Sequence, residues 1–165
     1  MEKSKDICYE MLLARGYTIT NDKRDQGYIT ARTPKNIEVY VFFIDEPKLN
    51  MSTVKFYYYI IYKENIRHCI FVYANTITTS VKKTLCNIYN TRVELFKSNE
   101  LQYNITKHSL VPSHTVITKT DEHSECSKYP ILKRSDAIAK YYGFMSGELI
   151  RVDRLDGSIC YRIVK

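Results

Sequence analysis

The chain has 165 residues, 44% of them hydrophobic, with 25 basic against 18 acidic side chains and a net charge of +7. That length allows one domain or two small ones, and that apolar content excludes disorder as the default. The charge is spread, with +4 on residues 1–103 and +3 on residues 104–165. It suits a protein lying near a polyanion better than an autonomous high-affinity DNA binder. Cys8, Cys69, Cys86, Cys126 and Cys160 form no C-x-x-C pair and are odd in number. Buried reduced thiols are therefore expected, not a zinc site or a disulfide framework. The N-terminus has no apolar h-region and no apolar run approaches membrane-spanning length, so no membrane partner is expected. The absence of Trp beside 15 Tyr, with abundant Ile, Lys, Asn and Thr, suggests an A+T-rich genome such as that of a large DNA virus or a reduced eukaryote.

In chain order, Ser4 to Arg15 places Ile7, Cys8, Met11 and Leu12 on one helical stripe that ends at Gly16. Ile37 to Ile44 is a β-branched and aromatic run, read as a buried strand that Asp45-Glu46-Pro47 breaks. Ser52 or Asn50 can cap a helix running to about Glu64, with Val54, Tyr58, Ile61 and Tyr62 as its apolar face. Cys69 to Tyr73 is a second short strand. Thr79 or Thr78 caps a further helix, with Val81, Leu85 and Ile88 inward and an end near Asn90, and Val93 to Phe96 is a third strand. Strands alternating with helices predict a small α/β layer with at least partly parallel strands. The polar stretch Asn99 to Asn104 reads as a connection, which divides the chain into residues 1–103 and 104–165. Beyond it the pattern changes to short strands and turns, with a charged loop over Asp121 to Lys128.

The C-terminal part reads in finer detail. Ser135 is placed to cap a short helix, Asp136 complements its dipole, and Ile138 and Tyr142 share a face. Gly143 stands where a left-handed residue stops a helix, and Gly147 turns the chain into a strand over Glu148–Arg154. Asp156-Gly157 signals a two-residue hairpin turn, after which Ser158–Val164 returns antiparallel with Ile159, Tyr161 and Ile163 alternating against Cys160, Arg162 and Val164. A unit so small buries its own faces poorly and is expected to need a partner surface.

Four sites invite chemistry. Asp45, Glu46 and Lys48 after a buried strand match the acid-x-Lys pattern with which endonuclease-like folds hold a metal and a water; Asp22 or Asp25 would have to supply a further carboxylate. Pro47 in the spacer favours a turn instead. His108 and His114, with Cys126 or His123, match no common zinc spacing, and ordinary polar or packing roles are preferred. Lys82 and Lys83 follow Thr78-Thr79-Ser80 at a helix start, where backbone N–H groups, hydroxyls and cations together could meet phosphate. Tyr57-Tyr58-Tyr59 could stack on bases, but on a helix the three point in different directions, so core and boundary packing is the better reading.

A collinear series covers nearly the whole chain: Arg15-Gly16-Tyr17, Val41-Phe42-Phe43, Glu46-Pro47-Lys48, Lys63-Glu64-Asn65-Ile66, the helix after Thr78-Thr79-Ser80, Asn104 to His114, Ser135 to Gly147, and Tyr161-Arg162-Ile163-Val164. This series resembles the fifth subunit shared by eukaryotic DNA-directed RNA polymerases, whose C-terminal domain has an archaeal counterpart. The resemblance implies an α/β N-terminal jaw domain of restriction-endonuclease-like topology over residues 1–103. It implies a small α+β assembly domain over residues 104–165 that docks on the largest subunit. Thr78, Thr79, Ser80, Lys82 and Lys83 would then lie near downstream double-stranded DNA, without reading sequence. Ser135, Asp136, Ala139, Tyr142, Gly143, Gly147, Tyr161 and Arg162 would form the subunit interface. The chain would carry no catalytic, cofactor or metal site, with magnesium held by the catalytic subunit. Its location would be the nucleus, or the virion or cytoplasmic viral factory if viral. The chain departs from the family by a jaw shortened between Asp25 and Ile37, a short segment between Thr118 and Pro130, a tightened final hairpin and Thr79 where proline is common. The alternative reading is a stand-alone endonuclease-like or DNA-binding protein.

Overall fold

The computed structural model describes residues 1–46, 48–117 and 128–165. The chain separates into two compact units, Met1–Tyr103 and Asn104–Lys165. The charged stretch from Asp121, together with Cys126, His123 and Pro47, lies outside the described residues, apart from Lys128 at the end of that stretch.

The first unit begins with α1 (Glu2–Ala14), whose buried stripe is Ser4, Cys8, Met11 and Leu12. The helix starts two residues before the Ser4 expected from sequence. A hairpin follows, β1 (Thr18–Lys23) and β2 (Tyr28–Arg32), joined by a 3-10 turn that ends on Gly27 in the left-handed region at φ 85°. Next come β3 (Glu38–Ile44), the short β4 (Lys48–Leu49), α2 (Met51–Lys63), β5 (His68–Tyr73), the short β6 (Thr76–Ile77), α3 (Thr79–Cys86) and β7 (Arg92–Lys97). The sheet order is β1-β2-β3-β5-β7. β3, β5 and β7 run parallel, in register from Val39↔His68 and His68↔Arg92 onward, while β1, β2 and β3 are antiparallel. Parallel neighbours need crossovers, and α2 and α3 supply them.

The parallel strands read as near-continuous apolar runs because both faces are covered. On one face Phe42, Ile44, Cys69 and Phe71 pack with Val54 and Ile61 of α2 and Val81 and Leu85 of α3. Phe71 is fully buried, 5.3 Å from both the Phe42 and Tyr57 rings. On the other face lies α1, held by Arg15 to Glu94 of β7 and by the Ser4 hydroxyl, which donates to the Ser98 carbonyl at 3.0 Å. The apolar face of α2 differs from the expected one. Tyr57 takes the inward place, while Tyr58 is 46% and Tyr62 80% exposed. Asn50, not Ser52, caps α2, its side-chain Oδ1 accepting from Thr53 N at 3.0 Å. α3 ends at Cys86, short of Asn90, and Ile88 is buried in the connection after it.

The second unit pairs β8 (Ser113–Ile117), β9 (Ile131–Leu132), β10 (Leu149–Asp153) and β11 (Ile159–Val164) in the order β8-β10-β11-β9, with α4 (Ala137–Tyr142) on one face. Its core holds Leu132, Ile138, Ala139, Phe144, Ile150, Val152 and Val164. The β10–β11 hairpin has a three-residue loop, because Arg154 N bonds the Ser158 carbonyl at 2.9 Å and Gly157 N returns to the Arg154 carbonyl at 3.0 Å. The turn thus spans Leu155 and Asp156, with Gly157 in the left-handed bulge position at φ 80°, one residue longer than the two-residue turn read from Asp156-Gly157.

Candidate nucleic-acid and subunit interfaces

Cap residues and the burial pattern position the phosphate-facing candidate. The Thr78 hydroxyl accepts from Val81 N at 3.3 Å and fixes the first turn of α3. Val81 and Leu85 are drawn into the core, so Thr78, Thr79, Ser80, Lys82 and Lys83 are all left exposed, with Lys83 already in the last turn of this short helix. The first N–H groups of any helix have no intrahelical partner, and here those of Thr79 and Ser80 open α3. The first turn has no acidic residue to complement its dipole.

The subunit-interface residues divide. Asp136, not Ser135, is the cap of α4: its carboxylate accepts from Ile138 N at 2.9 Å. Asp136 wins because its side chain directly precedes the first helical residue, whereas Ser135 lies one position outside. Ser135, Asp136 and Gly147 are exposed, and Tyr142, Gly143, Tyr161 and Arg162 are half-buried. Ala139 is 1% exposed and belongs to the unit's own core, so it offers no surface. Gly143 has φ 68° and ψ 34°, the left-handed stop expected of it. Tyr142 stacks on Phe144 at 5.3 Å, and Tyr129 lies 5.8 Å from Tyr161.

The endonuclease-like arrangement does not come together. The Glu46 carboxylate accepts from the Thr53 hydroxyl at 2.8 Å, and the Glu46 carbonyl accepts from Asn75 Nδ2 at 3.0 Å, so it serves the start of α2. Asp22 lies on β1, opposite Ile29 of β2, and binds Arg24 at 2.9 Å. Asp45 lies beyond the end of β3, two strands away. No group of three or more His, Cys, Asp or Glu side chains suited to a metal is present among the described residues. His108 Nδ1 accepts from Leu110 N at 3.2 Å and His114 Nδ1 contacts the Pro112 carbonyl at 2.8 Å, local turn roles for both. Cys8 and Cys69 are buried, and burial pushes both thiols up to about 12. Cys86 is exposed and Cys160 half-buried, against the expectation of burial throughout.

Sequence reasoning missed a charged cluster beneath α1. Glu94 receives Arg15 at 2.8 Å, His68 Nε2 at 2.8 Å and Arg92 at 2.9 Å, and the Arg15 side chain is only 1% exposed. Burial alone would raise the Glu94 carboxyl; the Arg15 charge, the His68 hydrogen bond and the Arg92 charge outweigh it and hold the group well below the usual carboxylate range. The signal was present as one acid inside Arg92-Val93-Glu94-Leu95-Phe96 and one His at the head of an apolar strand. The four residues are brought together by strand register and by α1, which no local pattern reveals.

Residues 103–164 match the family described as RNA polymerase Rpb5, C-terminal domain. Over a longer span the chain is similar to the DNA-directed RNA polymerases I, II, and III subunit rpabc1 of Dictyostelium discoideum, with 29% identity covering 77% of this chain and 70% of the relative. It is also 26% identical to subunit RPABC1 of Caenorhabditis elegans, covering 94% of this chain and 90% of the relative. That alignment spans 191 residues, more than this chain contains, so the relative carries residues that are missing here. The subunit RPABC1 of Caenorhabditis briggsae matches at 28% identity over 77% of this chain and 66% of its own length. Residues 103–164 are therefore similar to the Rpb5 C-terminal domain family, and the chain as a whole is similar to the RNA polymerase subunit RPABC1.

Proposed function

We propose that this protein is a non-catalytic subunit of a multisubunit DNA-dependent RNA polymerase. Residues 104–165 act as an assembly domain on the largest subunit, and residues 1–103 act as a jaw beside downstream duplex. The observation that carries this reading is the family match across the C-terminal unit, joined to relatives named as polymerase subunits along most of the chain. The mixed sheet of the first unit, parallel β3, β5 and β7 with crossover helices, is compatible with a shortened restriction-endonuclease-like jaw. Phosphodiester synthesis and its magnesium belong to the large subunits, and the site of action is the nucleus or, for a viral polymerase, the virion or viral factory.

The chain, tagged and purified from its native source, is expected to bring polymerase subunits with it. Recovery without any of them, or metal-dependent cleavage of DNA by the purified chain, would overturn the proposal. For the jaw, Lys82 and Lys83 approach phosphates without reading bases. Replacing both by Glu is expected to leave assembly intact and to weaken the polymerase's hold on downstream DNA equally across sequences, most at low salt. An unchanged hold at low salt would mean that these lysines are only solvated.

A further inference from the structure

The first unit carries an open cavity of about 490 Å³, within the roughly 300–1,000 Å³ of small-ligand sites. It is lined by the end of α2 and by the residues that lead into β5 and β7, so it lies at the N-terminal ends of those parallel strands. Thr78, at the start of α3, follows their other end. Ile61, Ile66 and Ile88 tie the lining to the core and are buried. Two hydrogen bonds join its walls: the Thr91 hydroxyl donates to the Ile66 carbonyl at 3.0 Å, and Arg92 N to the Arg67 carbonyl at 2.9 Å.

Three tyrosines line this cavity with their rings open. Tyr58 and Tyr62, one turn apart on α2, are 46% and 80% exposed, and Tyr89, after α3, is 90% exposed. None of the three touches another aromatic ring among the described residues, whereas their neighbour Tyr57 packs on Phe42, Phe56 and Phe71. Single exposed aromatics are ordinary; three around one cavity make a platform. Asn65 and Asn90 both hold a left-handed backbone, at φ 50° and 58°, which suits the turns they make and leaves their amides without a side-chain partner among the described residues. Arg67 is exposed and makes no ion pair among the described residues, and the lining contains no carboxylate. Lys63 and Glu64, just outside it, offset one another in charge.

We propose that this cavity takes an unpaired nucleotide of a single-stranded nucleic acid. The base stacks on Tyr62 and Tyr89, the Asn65 and Asn90 amides meet its edge, and Arg67 meets the adjoining phosphate. Open aromatic faces with a cation beside them are how single strands are held, and an amide both donates and accepts, so it complements any base edge. A cation with no carboxylate near it argues for an anionic occupant and against an ammonium group in an aromatic cage. A proline-rich peptide fits tyrosine ridges but brings no charge to Arg67. A duplex keeps its base faces covered, so this site differs from the phosphate contact of Lys82 and Lys83 and does not depend on the polymerase reading.

The test is the fluorescence anisotropy of a labelled oligothymidylate titrated with the purified full chain at low salt. Saturable binding to wild type is expected. Tyr62→Ala with Tyr89→Ala is expected to weaken it by roughly tenfold or more, and Tyr62→Phe with Tyr89→Phe to keep it, because the ring is what stacks. Arg67→Gln is expected to lower the slope of log affinity against log salt by about 0.7, the share of one phosphate on a single strand. All three positions are exposed, and an unchanged melting temperature of each variant keeps folding out of the comparison. No binding by wild type, or equal binding by the alanine pair, would overturn the proposal. So would an equal loss on a duplex of the same length, because the rings would then not be meeting base faces. Displacement of the strand by an equal concentration of thymidine monophosphate would make this a pocket for a free nucleotide, and displacement by a proline-rich peptide a peptide groove; either result overturns the assignment.

Discussion

The two units solve the problem of covering a sheet in different ways. In the first, β3 and β5 are almost wholly buried, because α2 and α3 lie on one face and α1 on the other. In the second, one short α-helix serves four strands among the described residues. β8 has no buried residue, and β11 is buried only at Ile163 and Val164. A closed sheet needs nothing further, whereas a half-open one gains from a partner. The half-open unit is the one that the family match covers almost end to end. Substitutions inside the first unit should therefore be felt as stability, and surface substitutions in the second as assembly.

The largest effect that would sharpen this contrast is at Glu94. Glu94→Gln takes the counter-charge from a buried Arg15 and is expected to destabilise the first unit by about 3–5 kcal/mol. Calorimetry should show its transition moving down while that of residues 104–165 stays in place. The same group fixes a pH dependence. Its folded pKa is lowered from 4.5, so its contribution is complete above that value and is lost as pH falls below it. Wild-type melting temperature should drop on acidification from about pH 4.5 downward, and Glu94→Gln should flatten that drop. A common fall of both transitions in the variant would mean that the units are not energetically separate.

Next in size is Gly143→Val. A β-branched residue at φ 68° is strained, and a loss of about 1–2 kcal/mol confined to the second unit is expected in thermal denaturation. Smallest is a paired test of the α4 cap. Asp136→Ala should cost about 1 kcal/mol, while Ser135→Ala should stay within roughly 0.5 kcal/mol of wild type in chemical denaturation. Equal costs would return the cap to Ser135.

How much of this was legible in the sequence depended on how local the cause was. The stripe Cys8, Met11, Leu12 and the runs through Val41-Phe42-Phe43 and Cys69-Ile70-Phe71 announce themselves, because apolar spacing sets burial directly. Gly143 did too, because one backbone angle decides it. The β1–β2 hairpin was missed: Thr18–Lys23 is Thr-Ile-Thr-Asn-Asp-Lys, with almost every residue exposed, so nothing but its ladder to β2 makes it a strand. Within Phe56-Tyr57-Tyr58-Tyr59-Ile60-Ile61-Tyr62 every residue is apolar or aromatic, and periodicity cannot choose the inward face; contact with Phe42 and Phe71 chose Tyr57. β9 is two residues long and exists through its pairing with Ile163 and Val164. At the candidate interfaces, the exposed set at the start of α3 followed from Val81 and Leu85 turning inward.

The seat of α1 has a consequence for the order in which the chain folds. Ser4 reaches Ser98 and Gln102, and Arg15 reaches Glu94, so α1 is clasped by the last segment of its unit. During synthesis the cover over Cys8, Met11 and Leu12 of α1 stays incomplete until β7 and the turn after it have left the ribosome. Contacts so distant along the chain slow folding, because the intervening loop must close before they can form. The early chain is thus a species with an incompletely covered apolar stripe, open to chaperones and to aggregation until residue 102 is available.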